Sequence, residues 1–200
     1  MRLNKKATAC QTERHPLNPF LPEHAKLLML GSFPPPRERW TMDFYYPNFQ
    51  NDMWRIFGIA FFGDKDYFVA GNGKSFDELR IRQFLLLTGI ALYDTAEEVI
   101  RHKGNASDQF LEIVKPVDLS NILSKISQCR TIATTGQKAT DTLMELLGVK
   151  QMPPVGGFIE TVIMNRTIRC YRMPSSSRAY PKSLSDKAAA YSQLFTSVIH

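Results

Sequence analysis

Four short stretches of this chain carry side chains able to do chemistry. Gly31-Ser32-Phe33-Pro34 follows an apolar run. A glycine there lets the backbone turn tightly and lets a ligand approach with no Cβ in the way, and Phe33 offers a flat face to a planar ring. Tyr45-Tyr46 precede Pro47-Asn48-Phe49-Gln50-Asn51-Asp52, an aromatic cluster followed by side-chain amides that can stack a heterocycle and hydrogen-bond its edge. Asp94 closes a second apolar run, Gly89–Tyr93. Pro174-Ser175-Ser176-Ser177 supplies hydroxyls and backbone N–H groups of the kind that hold phosphates. Each stretch also has an ordinary structural reading: Gly31 ends a strand, Phe33 and Trp54 pack in the core, Asn48 caps a helix, and the serines form a plain turn.

Charge adds a direction. Between Asn165 and Lys187 stand Arg166, Arg169, Arg172, Arg178, Lys182 and Lys187 against Asp186 alone, so most of the net +6 sits in that segment. A cationic stretch attracts a polyanion, and phosphate contacts make such binding salt-dependent; a solvated basic face is the alternative. The 200 residues, 44% hydrophobic and 22% charged, suit one globular domain over 1–200 rather than a fibre or a disordered tail. No apolar run approaches the ~20 residues of a bilayer-spanning helix, and Met1–Gln11 has no secretion-type apolar region; a cytoplasmic monomer with no membrane association is expected. Cys10, Cys129 and Cys170 form no CxxC pair, and His15, His24, His102 and His200 have no ligand spacing. Neither a disulfide framework, a metal nor any other cofactor is expected.

The elements that must position these residues follow from pattern. Residues up to about 25, punctuated by Pro16, Pro19 and Pro22, read as a surface arm. Lys26–Leu30 is a short buried strand opening into a loop stiffened by Pro34-Pro35-Pro36. Helical spacing runs from about Phe49 to Phe62 and ends at Gly63. Ser75 and Glu78 have capping-box spacing for a helix to about Leu87. Gly89–Tyr93 is a second strand, Ser120–Ser127 a helix, Thr131–Thr134 a third strand, and Gln137–Leu147 a helix. Two runs of strand character flank Asn165-Arg166, the second being Thr167–Met173, and a helix spans Ser185–Val198. Alternating strands and helices predict an α/β, three-layer fold with a central, mostly parallel, four-stranded sheet. Ligands of such sheets bind outside the carboxyl ends of the strands, which here are Gly31-Ser32-Phe33, Tyr93-Asp94, Thr135-Gly136 and Met173-Pro174-Ser175.

Together the motifs resemble one family. LMLGSFPPPRERWTMDFYYPNFQNDMW is similar to the first signature of the uracil-DNA glycosylase superfamily, closest to its hypoxanthine-DNA glycosylase-like branch. GIALYD (Gly89–Asp94) resembles that branch's second strand, TTGQKA (Thr134–Ala139) the segment after its third, and MPSSSRAYP (Met173–Pro181) its second signature. The resemblance implies a monofunctional glycosylase that hydrolyses the N-glycosidic bond of a flipped, deaminated base, uracil or hypoxanthine, in damaged or mismatched DNA. It implies Asn51 as the catalytic amide. It also implies a base pocket of Gly31, Ser32, Phe33, Pro34, Tyr46 and Asp94, with Phe33 or Tyr46 stacking on the base and Asp94 reading its edge. Ser175, Ser176, Ser177, Arg178 and Lys182 would then clamp the DNA backbone.

The chain departs from the branch at three places: Pro35 stands where serine is usual, Asp52-Met53 where Arg-Phe is usual, and Arg178 where the second signature has proline. Two other classes remain readable: a DNA-binding relative without catalysis, and a small-molecule α/β enzyme. The second is weakened by the lack of GxGxxG, P-loop and serine-elbow motifs. Pro34-Pro35-Pro36-Arg37 also permits an adaptor-ligand reading.

Overall fold

The computed structural model describes residues 11–102 and 110–199. In chain order its strands are β1 (Thr12–Arg14), β2 (Leu27–Gly31), β3 (Ile90–Asp94), β4 (Ala96–Arg101), β5 (Leu111–Pro116), β6 (Thr131–Thr135), β7 (Phe158–Ile163) and β8 (Arg166–Met173). Its helices are α1 (Met53–Phe62), α2 (Glu78–Thr88), α3 (Leu119–Lys125), α4 (Gln137–Leu146) and α5 (Leu184–Val198), with a single 3-10 turn at Arg37–Arg39.

The central sheet has the order β3-β2-β6-β8-β7. β2, β3 and β6 are buried at every position, the signature of parallel strands covered on both faces. β7 runs antiparallel to β8 at the edge and alternates buried with exposed residues, as a one-sided strand must. The four strands β3-β2-β6-β8 are parallel, as expected, and the antiparallel edge β7 makes the sheet five-stranded and mixed. The additional strand is the first of the two runs flanking Asn165-Arg166, where Met164 and Asn165 make the reversal with positive φ.

Right-handed crossovers place the helices between β2 and β3 on one face and those of the two following crossovers on the other. α1, α2 and α5 indeed share a face: Phe57 and Phe61 of α1 lie 4.8 and 4.9 Å from Phe195 of α5, and Phe61 lies 4.7 Å from Phe84 of α2. The sheet order reverses direction at β2, between β3 and β6, and that is the switch point at which α/β sheets bind ligands.

Two local expectations are corrected. α2 is capped by Asp77, whose side chain accepts from the Arg80 N–H, rather than by a Ser75–Glu78 box; Glu78 instead accepts from the Asp43 N–H and pairs with Arg82. α1 begins at Met53 and not near Phe49. Asn48 caps no helix; its Oδ1 accepts from the Gln50 N–H at 2.9 Å, so 48–52 is a pair of turns leading into α1.

A second sheet, β1-β4-β5, was not legible in the sequence. It enters through the 1–25 arm: Thr12–Arg14 pairs antiparallel with Glu98–Ile100, and Phe20 exchanges backbone hydrogen bonds with Leu92. Its inner face buries Ala96, Val99 and Leu111 against Phe33, which ties the loop after β2 to this sheet.

Candidate active-site cleft

A cleft of about 270 Å³ opens at the carboxyl ends of β2, β3 and β6, toward the small end of ligand sites. It is lined by Gly31, Ser32, Phe33, Pro34, Tyr46, Asn51, Asp94, Ser175, Ser176, Ser177 and Arg178, together with Thr135 and Arg39. Of the residues to which the resemblance assigns a site role, only Lys182 lies outside the lining; it is exposed, beyond the serine loop.

The β2–β3 register sets Gly31 directly beside Asp94. A Cβ on Gly31 would stand 2.2 Å from Asp94 Oδ1, so only glycine lets the carboxylate lie against the backbone here. The other carboxylate oxygen, Oδ2, is 2.8 Å from Nε2 of His15, and both side chains are over nine-tenths buried. Tyr46 holds a left-handed backbone, φ 50°, a conformation that costs a non-glycine residue about 1–3 kcal/mol and gathers at functional sites. Its hydroxyl lies 3.1 Å from Thr135 Oγ1, and its ring stands edge-on to Trp54. Phe33 lines the cleft while packing on the second sheet and standing edge-on to His15 at 5.3 Å. Arg101, buried in β4, donates to the Pro34 carbonyl at 3.0 Å and to Glu13, bracing the same loop from behind.

Asn51 Oδ1 accepts from the Met53 N–H at 2.9 Å. That bond identifies the oxygen of the amide and fixes the side chain at the start of α1, leaving a second lone pair and the Nδ2 hydrogens for a ligand. Asp52 turns away from this amide into an ionic clamp. Its Oδ2 accepts from Lys187 Nζ at 2.9 Å and its Oδ1 from Arg178 Nε at 3.2 Å, while its backbone N–H donates to Ser176 O at 2.9 Å. Lys187 also donates to Ser177 O at 2.8 Å, and Arg178 reaches Gln50 Oε1 as well. The clamp thus fastens the serine loop to the N-terminus of α1. Within the loop, Ser175 Oγ accepts from the Ser177 N–H and Ser177 Oγ from the Ala179 N–H. Gly136, at φ 108°, leaves room for Ser175, whose Cβ would stand 3.3 Å from a Cβ at that position.

Two phenols stay protonated here. Burial, assisted by the Asp94 charge, holds the Tyr45 hydroxyl far above its ordinary range, and it donates to Asn18 O at 2.8 Å. Burial and the nearby Glu97 and Asp94 push Tyr93 up to about 12. Neither supplies a phenolate at neutral pH. Among the described residues no lysine lines the cleft, no three His, Cys, Asp or Glu side chains gather as a metal site requires, and no helix is long and apolar enough to cross a membrane.

The sequence assigned no role to His15 or Arg101, marked Thr135 only as a strand end, and counted Lys187 only within the basic segment. His15 meets Asp94 across 79 positions and Lys187 meets Asp52 across 135, so no local spacing announces either pair. The available hint was a histidine directly before Pro16 in the proline-punctuated arm, one of two there with His24.

No protein-family model and no curated protein matches the sequence. Among solved structures, the chain is similar to a solution NMR structure from Methanosarcina acetivorans described as a "putative Uracil DNA glycosylase", with 22% identity and a TM-score of 0.62 over 95% of this chain and 100% of that one. The chain therefore has a uracil-DNA-glycosylase-like α/β fold, with its cleft at the switch point of the sheet.

Proposed function

We propose that this protein is a monofunctional DNA glycosylase of the uracil-DNA glycosylase superfamily, hydrolysing the N-glycosidic bond of a flipped, deaminated base. The observation that carries this reading is convergence: the segments after β2, β3 and β8 and the turn before α1 meet on one cleft, in a fold shared with a protein described as a glycosylase of this kind.

A base within a duplex is out of reach, so it must be extruded at a cost of a few kcal/mol, least for a mispaired base. Arg39 and Arg178 at the rim, with exposed Lys182 beyond it, supply cations for the flanking phosphates. Inside, Asp94 Oδ1 accepts from a base edge presenting an N–H, as uracil and hypoxanthine both do, while Phe33 or Tyr46 covers the ring. An amide oxygen barely takes a proton, so Asn51 acts by orienting water toward C1′ after the glycosidic bond has loosened to an oxocarbenium-like sugar. The Met53 N–H holds that oxygen in place at no reorganisation cost during the step. Among the described residues no lysine enters the lining, which supports hydrolysis without a Schiff base and an abasic strand left intact.

The test uses duplexes carrying one uracil or one hypoxanthine, with abasic sites revealed by alkali. Release is expected for the wild-type protein, a loss of roughly 10²–10³-fold in Asn51→Ala, and full activity in Val162→Thr, a surface change on β7 (Val162 is 69% exposed). Salt-dependent DNA binding with no release from any altered base would assign a non-catalytic relative instead. Absence of both binding and release would end the DNA reading.

A further inference from the structure

We infer that His15, delivered by the strand of the N-terminal arm, is a positioning residue that shares one proton with Asp94 and cancels its charge at the cleft. The inference rests, for its functional part, on the glycosylase reading; its chemical part stands on geometry alone.

Both ring nitrogens of His15 face oxygens. Nδ1 lies 2.8 Å from the Leu17 carbonyl oxygen, and Nε2 lies 2.8 Å from Asp94 Oδ2. A carbonyl oxygen only accepts, and a bare nitrogen that close would set two lone pairs against each other, so Nδ1 carries a proton. The Leu17 N–H also lies within hydrogen-bond reach of Nδ1, at 3.2 Å, a bond that only a bare Nδ1 accepts; the closer 2.8 Å contact with the carbonyl oxygen selects the protonated form. With Nδ1 protonated, a second proton must lie between Nε2 and Oδ2. Whichever of the two heavy atoms holds it, the pair sums to zero charge. Burial enforces this, since an uncompensated carboxylate in a water-poor site costs several kcal/mol.

The surroundings leave the pair to itself. The neighbouring charged groups are already matched: Glu98 with Arg14 at 3.3 Å and Glu97 with Lys115 at 2.7 Å, both in the shallow groove beside His15. The other titratable neighbours are Tyr93 and Tyr45, whose rings lie 4.7 and 6.2 Å from the imidazole and remain neutral phenols. Phe33 closes the remaining side edge-on.

The consequence is catalytic. Hydrolysis through an oxocarbenium-like sugar puts negative charge on the departing base, directly opposite Asp94 Oδ1. A bare carboxylate there would repel that charge as it develops. Paired with His15, Asp94 can accept the base N–H in the ground state without opposing the leaving group in the transition state. His15 touches neither base nor sugar; it acts through Asp94.

Two measurements decide the matter separately. Long-range 1H–15N spectra of the labelled, DNA-free protein at neutral pH report each histidine ring. His15 is expected with a protonated Nδ1 in the wild type and in Asp94→Asn, where the new amide can donate to Nε2. A His15 ring whose Nδ1 is bare overturns the inference whether or not the protein cleaves any base. In single-turnover base release, His15→Gln, which keeps a donor but cannot hold the extra proton, is expected to lose roughly 10²-fold in rate with little change in DNA affinity. Adding Asp94→Asn to His15→Gln should recover part of the rate, which a purely structural histidine would not allow. A wild-type rate in His15→Gln, or no recovery in the double variant, overturns the catalytic part. Failure of the wild type itself to release any base refutes the glycosylase reading and leaves the spectra to judge the shared proton.

Discussion

Lys187→Met isolates the clamp between α1 and the serine loop. The Lys187 side chain is 1% exposed and the Asp52 side chain 9%, and the ammonium makes two hydrogen bonds, to Asp52 Oδ2 at 2.9 Å and to Ser177 O at 2.8 Å. Methionine fills nearly the same volume, so cavity formation is minor and the effect is electrostatic. Removing one partner of a buried pair leaves an uncompensated charge and costs about 3–5 kcal/mol. Arg178, half-exposed on the other carboxylate oxygen, offsets part of this, so about 3 kcal/mol is expected. For a chain of this size each kcal/mol moves Tm by roughly 2–4 °C, giving a fall of about 6–12 °C in calorimetry and a matching loss in urea unfolding at unchanged slope. The double variant Asp52→Leu with Lys187→Met removes both charges and is expected to recover at least half of the loss. A single-variant cost under about 1 kcal/mol, or a double variant that merely adds the two losses, would refute the assignment of this pair as a buried clamp.

Gly31→Ala forces a Cβ into the 2.2 Å gap to Asp94 Oδ1; overpacking of this kind costs about 1–3 kcal/mol, and base release should fall at least as far as in His15→Gln. Cys129 and Cys170 are buried, and burial pushes their thiols up to about 11 and about 12 from an ordinary 9.0. Both should therefore resist alkylation in the native protein and react on unfolding, as mass mapping would show. The same shifts set an alkaline limit. Thiols raised on folding favour the native state fully below pH 9 and progressively less as pH rises to about 12, and Tyr93, raised from 10.0 to about 12, acts in the same sense; a urea midpoint that held steady across that window would contradict this. Arg178→Ala should weaken DNA binding about equally across sequences and reduce the salt slope by roughly one unit, which titrations at several salt concentrations would read.

What was legible in the sequence was what local pattern controls. The uninterrupted apolar runs Leu27–Leu30 and Ile90–Tyr93 read as buried parallel strands because both of their faces are covered. Gly63 after α1 and Gly136 before α4 marked element ends because few other residues take their backbone angles. Strand order then follows from handedness, and with it the expectation that the loops after Gly31, Asp94 and Met173 share one edge of the sheet. The helix caps were less readable, since Ser75, Asp77 and Glu78 all have capping chemistry and packing around Asp43 and Arg82 chose among them.

Only the tertiary structure decided the charges. Asp52 stood in the sequence only as a departure from the branch beside Asn51; in the fold it faces Lys187 and Arg178, both from beyond β8. Asp94 looked like a lone acid at a strand end; in the fold it is matched by a histidine from a segment with no apolar periodicity of its own. Hydrophobic periodicity repeats every two or three to four residues and is written into any short window, whereas an ion pair carries no period and can join any two positions that the chain folds together. The backbone of the cleft is thus a property of the sequence read locally, and its electrostatics a property of the assembled fold.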